Sequence, residues 1–439
     1  MNKKLLIGFG VLGIVCVVLM SGCITKEKQE FCPYPYMQIG NECCLDKNND
    51  KICDKDELGK EPTGEDELLV VKEEKCGSLG EDCCKGNVCD EGACSEGKCV
   101  SPVISGSKKP STIDNLELQI SQIQLNPRQL SFSDSKDEDP SIIQASDGTY
   151  WIAWFSDRSG NGDIWYKKSR NGINWTEPFQ ITTDPSNDYY PSLIQASDGT
   201  FWIAWFSDRS GNFDIWYSNS NDGTNWSPGK QITNDGSVDW IPSLIQDLDG
   251  TFWIAWSSNR SGNKDIWLSN SNDGRNWSIP IQLTINTNED DFPHLIQSPD
   301  GNFMIVWARH HPDNEKPGYS NPTSEIFYST STDGITWAAP VQLTNDSSVD
   351  TLPCIYQDSG ATYLISWTSD KTDIFGDILC SSITQNKQSN LIQLTSKKSS
   401  DYSPKIIKSL DGNYWMSWVS DRSGNLDVWY AIFNESDLN

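Results

Sequence analysis

Residues 191–226 read PSLIQASDGTFWIAWFSDRSGNFDIWYSNSNDGTNW, and this stretch decides the fold. A short apolar segment follows Pro191 and ends at Gln195, before a Ser-Asp-Gly turn at 197–199. A second apolar segment, Phe201 to Phe206, runs to the loop Ser207 to Asn212. A third, Asp214 to Tyr217, runs to the turn Ser220 to Trp226, and a fourth lies around Gln231 to Thr233. Short apolar runs punctuated by Gly, Asn, Asp and Ser are strands joined by tight turns. The second and third segments are apolar almost throughout, as a sheet covered on both faces requires.

The unit recurs along the chain. Pro140, Pro191, Pro242, Pro293, Pro353 and Pro404 are spaced 51, 51, 51, 60 and 51 residues apart. Trp154, Trp205, Trp256, Trp307, Trp367 and Trp418 keep the same intervals, as do Gln129, Gln180, Gln231, Gln282, Gln342 and Gln393. A period near 50 residues with four strands per unit predicts an all-β, six-bladed β-propeller. The counting also predicts how it closes. The first copy of the fourth-strand motif, Arg128 to Ser131, precedes the first inner strand, and no copy follows the last unit. The N-terminal segment is therefore expected to supply the outer strand of the sixth blade, which removes a free sheet edge.

The turns after the third strands carry a resemblance. Ser220 to Trp226, Ser271 to Trp277 and Ser331 to Trp337 fit Ser-x-Asp-Gly-x-x-Trp, and Ser169 to Trp175 fits with Asn171 in place of Asp. They resemble the Asp-boxes (BNR repeats) of sialidases and related propellers, one residue shorter than the commonest form. The Ser-Asp-Arg-Ser-Gly-Asn loops resemble those of TolB-type propellers. The resemblance implies a sialidase-like propeller with the boxes opposite the active face. In sialidases three arginines bind the acidic sugar, one from a Phe/Tyr-Arg-Ile-Pro motif, beside a Tyr–Glu nucleophile pair and an Asp acid. No such motif occurs here; the nearest segment, Asn126 to Gln129, falls in the closing strand. No catalytic residue is carried over.

On the opposite, top face each unit places Asp-x-x-Pro: Asp137, Asp188, Asp239, Asp290, Asp350 and Asp401. Arg158, Arg209, Arg260 and Arg422 recur in the loops between second and third strands. A ring of carboxylates around a funnel could hold a cation or polar ligand. A residue repeated in every blade is more simply structural, as an Asp–Arg or Asp–backbone contact. Departures from the repeat say more. All three histidines fall in blade 4: His294 in the inner strand, and His310 and His311 after Arg309, just before most of a nine-residue insertion that ends at Pro322. With Asp290 they make a candidate cluster for ligand binding, metal or proton transfer; an irregular surface loop is the plainer alternative. Tyr189, Tyr190, Trp240, Phe292 and Tyr402 are top-face aromatics able to stack on sugar rings or to pack the loops.

The N-terminus reads as an export signal. Met1-Asn2-Lys3-Lys4 precedes an apolar run from Leu5 to Met20 and then Ser21-Gly22-Cys23. Residues 1–22 are expected to be a lipoprotein signal peptide and Cys23 the lipidated residue, as in the prokaryotic lipobox that Leu19 to Cys23 resembles. An uncleaved transmembrane helix is the alternative, though sixteen apolar residues is short for a span. Either way the remainder lies outside the cytoplasm, anchored to the membrane. Residues 23–58 form a Cys-rich segment, 59–75 a Glu-rich linker, 76–100 a cystine-rich module, 101–115 a Ser/Pro/Lys linker and 116–439 the propeller. Clustered even counts of cysteine in an exported chain read as disulfides of undetermined pairing, with zinc the weaker alternative. Asp46, Asn48, Asp50, Asp54 and Glu57 stand at calcium-loop spacing, so a Ca2+ ion is expected there. Lys51 replaces the usual glycine, so the loop looks closer to thrombospondin type 3 or dockerin repeats than to a full EF-hand.

A formal charge of −27 excludes nucleic acid as a partner. The membrane is met through the N-terminal anchor only. The function expected is binding of glycan or protein ligands at the cell surface. The alternative is a divergent sialidase-like exo-glycoside hydrolase.

Overall fold

The computed structural model describes residues 36–39, 42–45, 93–95, 98–100, 120–311, 323–357, 362–372, 376–384, 387–396 and 399–438. The chain divides into two units, Met1–Lys109 and Pro110–Asn439. In the first, two short antiparallel hairpins are described, Tyr36–Ile39 with Glu42–Leu45 and Ala93–Ser95 with Lys98–Val100. The second hairpin sets Cys94 opposite Cys99. Cys23 and the expected calcium loop lie outside the described residues.

The second unit is a six-bladed β-propeller. Blade 2 shows the pattern: Asp188–Gln195 is innermost, followed outward by Phe201–Ser207, Asp214–Ser220 and Lys230–Gln231, all antiparallel. The expected closure is present. Arg128–Gln129 pairs with the third strand of blade 6, Gln129 opposite Trp429 and Arg128 opposite Tyr430. Leu130 N–H then donates to Val428 O at 2.8 Å. Blade 5 carries an addition the repeat does not announce: Ile120–Gln122 lies parallel to its outer strand Leu391–Gln393.

Each interface between neighbouring blades is one apolar cluster. Between blades 6 and 1, for example, Leu130, Trp154, Trp415, Val428 and Tyr430 pack together. Trp154, Trp205, Trp256, Trp307, Trp367 and Trp418 are all essentially inaccessible, which explains the regularity of that column. The turns after the third strands lock one blade to the one before it. Asp222 Oδ1 accepts the N–H groups of Thr224 and Asn225 at 2.8 and 2.7 Å, and these bonds hold its carboxyl below the usual range. Gly223 takes φ +65° and backs onto Trp151, where a Cβ would lie 2.4 Å from the indole edge, so no other residue fits. At the bottom, glutamines stitch the blades. Ser146 N–H donates to Gln195 Oε1 and Leu410 N–H to Gln144 Oε1, both at 2.7 Å, the latter across the closure.

The inner strands begin earlier than expected. They start at the Asp three residues before the proline in five blades and at Glu289, one residue earlier, in blade 4, not at the proline itself. A proline usually ends a central strand. Here the residue before it takes φ between 51° and 58° in every blade, and the pairing slips at that point, as between Tyr189 and Ser192. This is a β-bulge on a strand that is already the edge of its sheet, and both circumstances admit a proline while the strand continues.

Candidate functional site on the top face and axis

The bulge sorts the top of each inner strand into four levels. The first is the repeated Asp. Arg158, Arg209, Arg260 and Arg422 each place a guanidinium nitrogen 2.6–2.9 Å from both carboxylate oxygens of Asp137, Asp188, Asp239 and Asp401. The blade's own indole N–H donates to the same carboxylate at 2.9–3.2 Å. Each guanidinium also lies 4.8–5.6 Å from two indole centroids. These aspartates are buried and fully engaged. They are a fastening within each blade, not a ring of free carboxylates.

Blade 4 keeps the fastening with different geometry: Arg309 Nε and NH2 donate to Asp290 at 2.7 and 3.0 Å. Blade 5 lacks the arginine. Lys371 stands in that loop and pairs with Asp346 at 2.7 Å instead. Asp350 Oδ1 and Trp367 Nε1, whose counterparts bond each other in blades 1, 2, 3 and 6, are both buried without a hydrogen-bond partner among the described residues, as is Trp307 Nε1 in blade 4. Burial, reinforced by Asp346 and Glu325, pushes the Asp350 carboxyl up to about 7. An unfolded Asp titrates near 3.9, so over the interval between the native state binds the extra proton. The stability this contributes is complete below about pH 4 and is lost as pH rises toward 7. Asp350→Asn, which imitates the protonated acid, should flatten the fall in Tm between pH 5 and pH 8. Parallel wild-type and variant profiles over that range would contradict this.

The second level is a rim that does not repeat: Glu138, Tyr189, Trp240, Asp291, Thr351 and Tyr402. Tyr402 OH donates to Glu138 Oε1 at 2.5 Å. Tyr189 stacks between Phe155 and Phe206, with centroids at 4.8 and 5.2 Å. Lys264 lies 5.1 Å over Trp240 and 3.0 Å from Asp291, whose other oxygen accepts from Ser257 at 2.7 Å.

The third level is a collar of the residues at positive φ: Asp139, Tyr190, Ile241, Phe292, Leu352 and Ser403. Burial, then the neighbouring Glu138, raise the Asp139 carboxyl to about 8, against the opposing pull of Lys405 and the hydroxyls of Tyr190 and Ser403. Burial and the charges of Asp139, Asp291 and Glu138 hold the Tyr190 phenol well above its usual value.

The fourth level follows the proline: Ser141, Ser192, Ser243, His294, Cys354 and Lys405. They line an axial cavity of about 200 Å³. The three histidines are thus separated by function. His294 is at the axis, 3.8 Å from Cys354 Sγ. His310 sits opposite Glu289 and meets the Phe292 ring edge-on at 6.2 Å, and burial lowers its pKa. His311 Nδ1 is 3.4 Å from Asn288 Nδ2. Among the described residues no group of three or more His, Cys, Asp or Glu is placed to hold a metal. Residues 312–322, most of the insertion, lie outside the described residues.

Glu138, Asp139, Cys354 and Lys405 escape a reading that looks for oddities blade by blade. They show up when the repeat is read as columns: the position after proline runs Ser, Ser, Ser, His, Cys, Lys.

No family model matches the chain, and no curated protein matches it. Solved structures do. A protein of unknown function from Dyadobacter fermentans is 14% identical, with TM-score 0.59 over 70% of this chain and 99% of that one. An α-L-arabinofuranosidase of Fusarium graminearum, solved with an iminosugar inhibitor, is 16% identical, with TM-score 0.57 over 69% of this chain and 94% of that one. The NanB sialidase of Streptococcus pneumoniae is 11% identical, with TM-score 0.53 over 72% of this chain and 71% of that one. At these identities the likeness speaks for fold alone: the chain has the sialidase-like six-bladed propeller fold.

Proposed function

We propose that this chain is an exported, membrane-anchored propeller whose top face binds a neutral glycan. The observation that carries the reading is the contrast between the first two levels. The repeated arginines at the top are each bonded to a buried aspartate. They are therefore spent on the fold and do not form a free cationic cluster for an acidic sugar. The rim that varies between blades offers the partly exposed rings of Trp240 and Tyr402 with the carboxylate of Glu138 beside Tyr402. Aromatic faces beside hydrogen-bond acceptors suit the apolar faces and hydroxyls of uncharged sugars. The net charge of −27 works against anionic ligands in the same direction. The arabinofuranosidase likeness, one solved form of which holds arabinobiose, is consistent with this. Export and anchoring at Cys23 rest on the N-terminal residues.

Glycan-array screening followed by calorimetry tests it. Neutral oligosaccharides should bind and sialylated ones should not. Trp240→Ala and Tyr402→Ala should each weaken binding by about tenfold or more without lowering Tm comparably. Preference for sialylated glycans, or unchanged affinity in both variants, would remove this reading.

One observation favours hydrolysis as the second reading. Asp139 is protonated near neutrality beside Glu138, and Tyr402 donates to Glu138. A carboxyl held protonated near neutrality is the usual means of general acid catalysis. Absence of turnover of chromogenic arabinofuranosides and sialosides across pH 4–9 would dismiss it.

A further inference from the structure

The six residues after the prolines are joined into a girdle by one repeated bond. Leu193 N–H donates to Ser141 Oγ at 3.0 Å, Leu244 N–H to Ser192 Oγ at 2.9 Å, and Leu295 N–H to Ser243 Oγ at 2.9 Å. Ile355 N–H donates to His294 Nδ1 at 3.4 Å and Ile406 N–H to Cys354 Sγ at 3.4 Å. In every case the side chain of one blade accepts from the next blade's inner strand.

This pattern uses up acceptors and leaves donors. Each serine oxygen that receives an N–H still carries its own hydroxyl proton. With Nδ1 accepting, the neutral His294 ring carries its proton on Nε2. The sixth position is Lys405, which is a donor only when charged. It leaves the equivalent N–H, that of Ile142, without the acceptor its five counterparts have. Three hydroxyls, an imidazole N–H, a thiol and an amine therefore face one axial cavity.

Lys405 forms no ion pair or direct hydrogen bond among the described residues; Asp139 acts on it from the collar above without reaching contact distance. Lys405 is half-buried and faces the cavity, where a charged amine without an ionic partner favours a counter-ion. Burial lowers its pKa, a cost to the charged form. A counter-ion relieves that cost, and about 200 Å³ accommodates a small ion together with waters.

We infer that the axial cavity is a binding site for a small anion of halide or carboxylate size, held by Lys405 and the hydroxyls of Ser141, Ser192 and Ser243. The site is independent of the glycan face above it. Asp139, raised to about 8, is uncharged near neutrality and leaves the charge of Lys405 to the anion.

The test uses the full chain dialysed into sodium bromide or, at equal ionic strength, sodium gluconate, whose bulkier, polyhydroxylated anion is the reference. The wild-type Tm should rise saturably with bromide relative to gluconate. The rise should disappear in Lys405→Met and persist in the exposed control Lys136→Met. A wild-type crystal soaked in bromide should show an anomalous peak inside the girdle. Equal bromide dependence in wild type and Lys405→Met overturns the proposal. So does a soaked crystal with water alone in the cavity, a result that does not depend on whether Lys405→Met folds.

Discussion

Asp401→Ala should destabilise the propeller by about 3–5 kcal/mol, measured by chemical unfolding. Its carboxylate is inaccessible and takes the Trp418 indole N–H at 3.2 Å and Arg422 NH2 at 2.7 and 2.8 Å. Arg422 is only 9% exposed, and its remaining side-chain partner is the Ser420 hydroxyl at 2.7 Å. Removing the acid leaves a buried guanidinium without a counter-charge and a buried indole without an acceptor, each a substantial penalty. Blade 5 supplies the control at the equivalent column. Asp350 has no arginine, and its Oδ1 makes no bond to Trp367. Asp350→Asn at pH 7 should therefore not destabilise, and by replacing a carboxylate that burial disfavours it should raise stability. Equal losses at the two positions would mean that burial of the side chain, and not the Asp–Arg–Trp fastening, is what matters.

Removal of residues 1–131 should open the ring and convert the protein into aggregates visible by size-exclusion chromatography. Leu130 is 1% exposed within the interface between blades 6 and 1. Gln129 and Ser131 bond both oxygens of Asp427, at 2.9 and 3.2 Å. Without them the strand Asp427–Phe433 becomes an uncovered edge, which pairs readily with another chain. Leu130→Ala alone should cost about 2–5 kcal/mol, the range for a buried leucine. A peptide spanning residues 120–134, added in excess, should restore the monomer and the cooperative transition. A truncated chain that stays monomeric with unchanged Tm would show that the N-terminal strand is dispensable.

Much of the fold was legible because a propeller repeats its physics. The Pro, Trp and Gln columns counted the blades, and the missing last copy of the outer-strand motif announced the closure. The structural meaning of the Asp–Arg pairing could be reasoned from repetition. The axial site could not. A bulge displaces the pleat by one residue and exchanges the faces on either side of it. Since the bulge lies between Asp137 and Ser141, the sequence alone does not say that Asp137 turns into its blade while Ser141 turns to the axis. A proline inside a strand was likewise taken as its beginning. The parallel strand Ile120–Gln122 had no signal because it belongs to no repeat. Among the candidate ligand residues, Asp290 and Arg309 bond each other, Tyr189, Trp240 and Tyr402 lie on the rim, and His294, His310 and His311 occupy three different settings.

The closing strand also sets a timetable. Gln129 and its partner Trp429 are separated by 300 residues of chain. At about 5–20 residues per second, the first half of that pair waits roughly 15–60 s for the second to be made. Through that interval five blades can assemble in order, each on the one before, while the strand that completes the sixth stays unpaired. A strand made before any blade is thus the last to be seated, and a chain that stalls before residue 429 holds it with nowhere to put it.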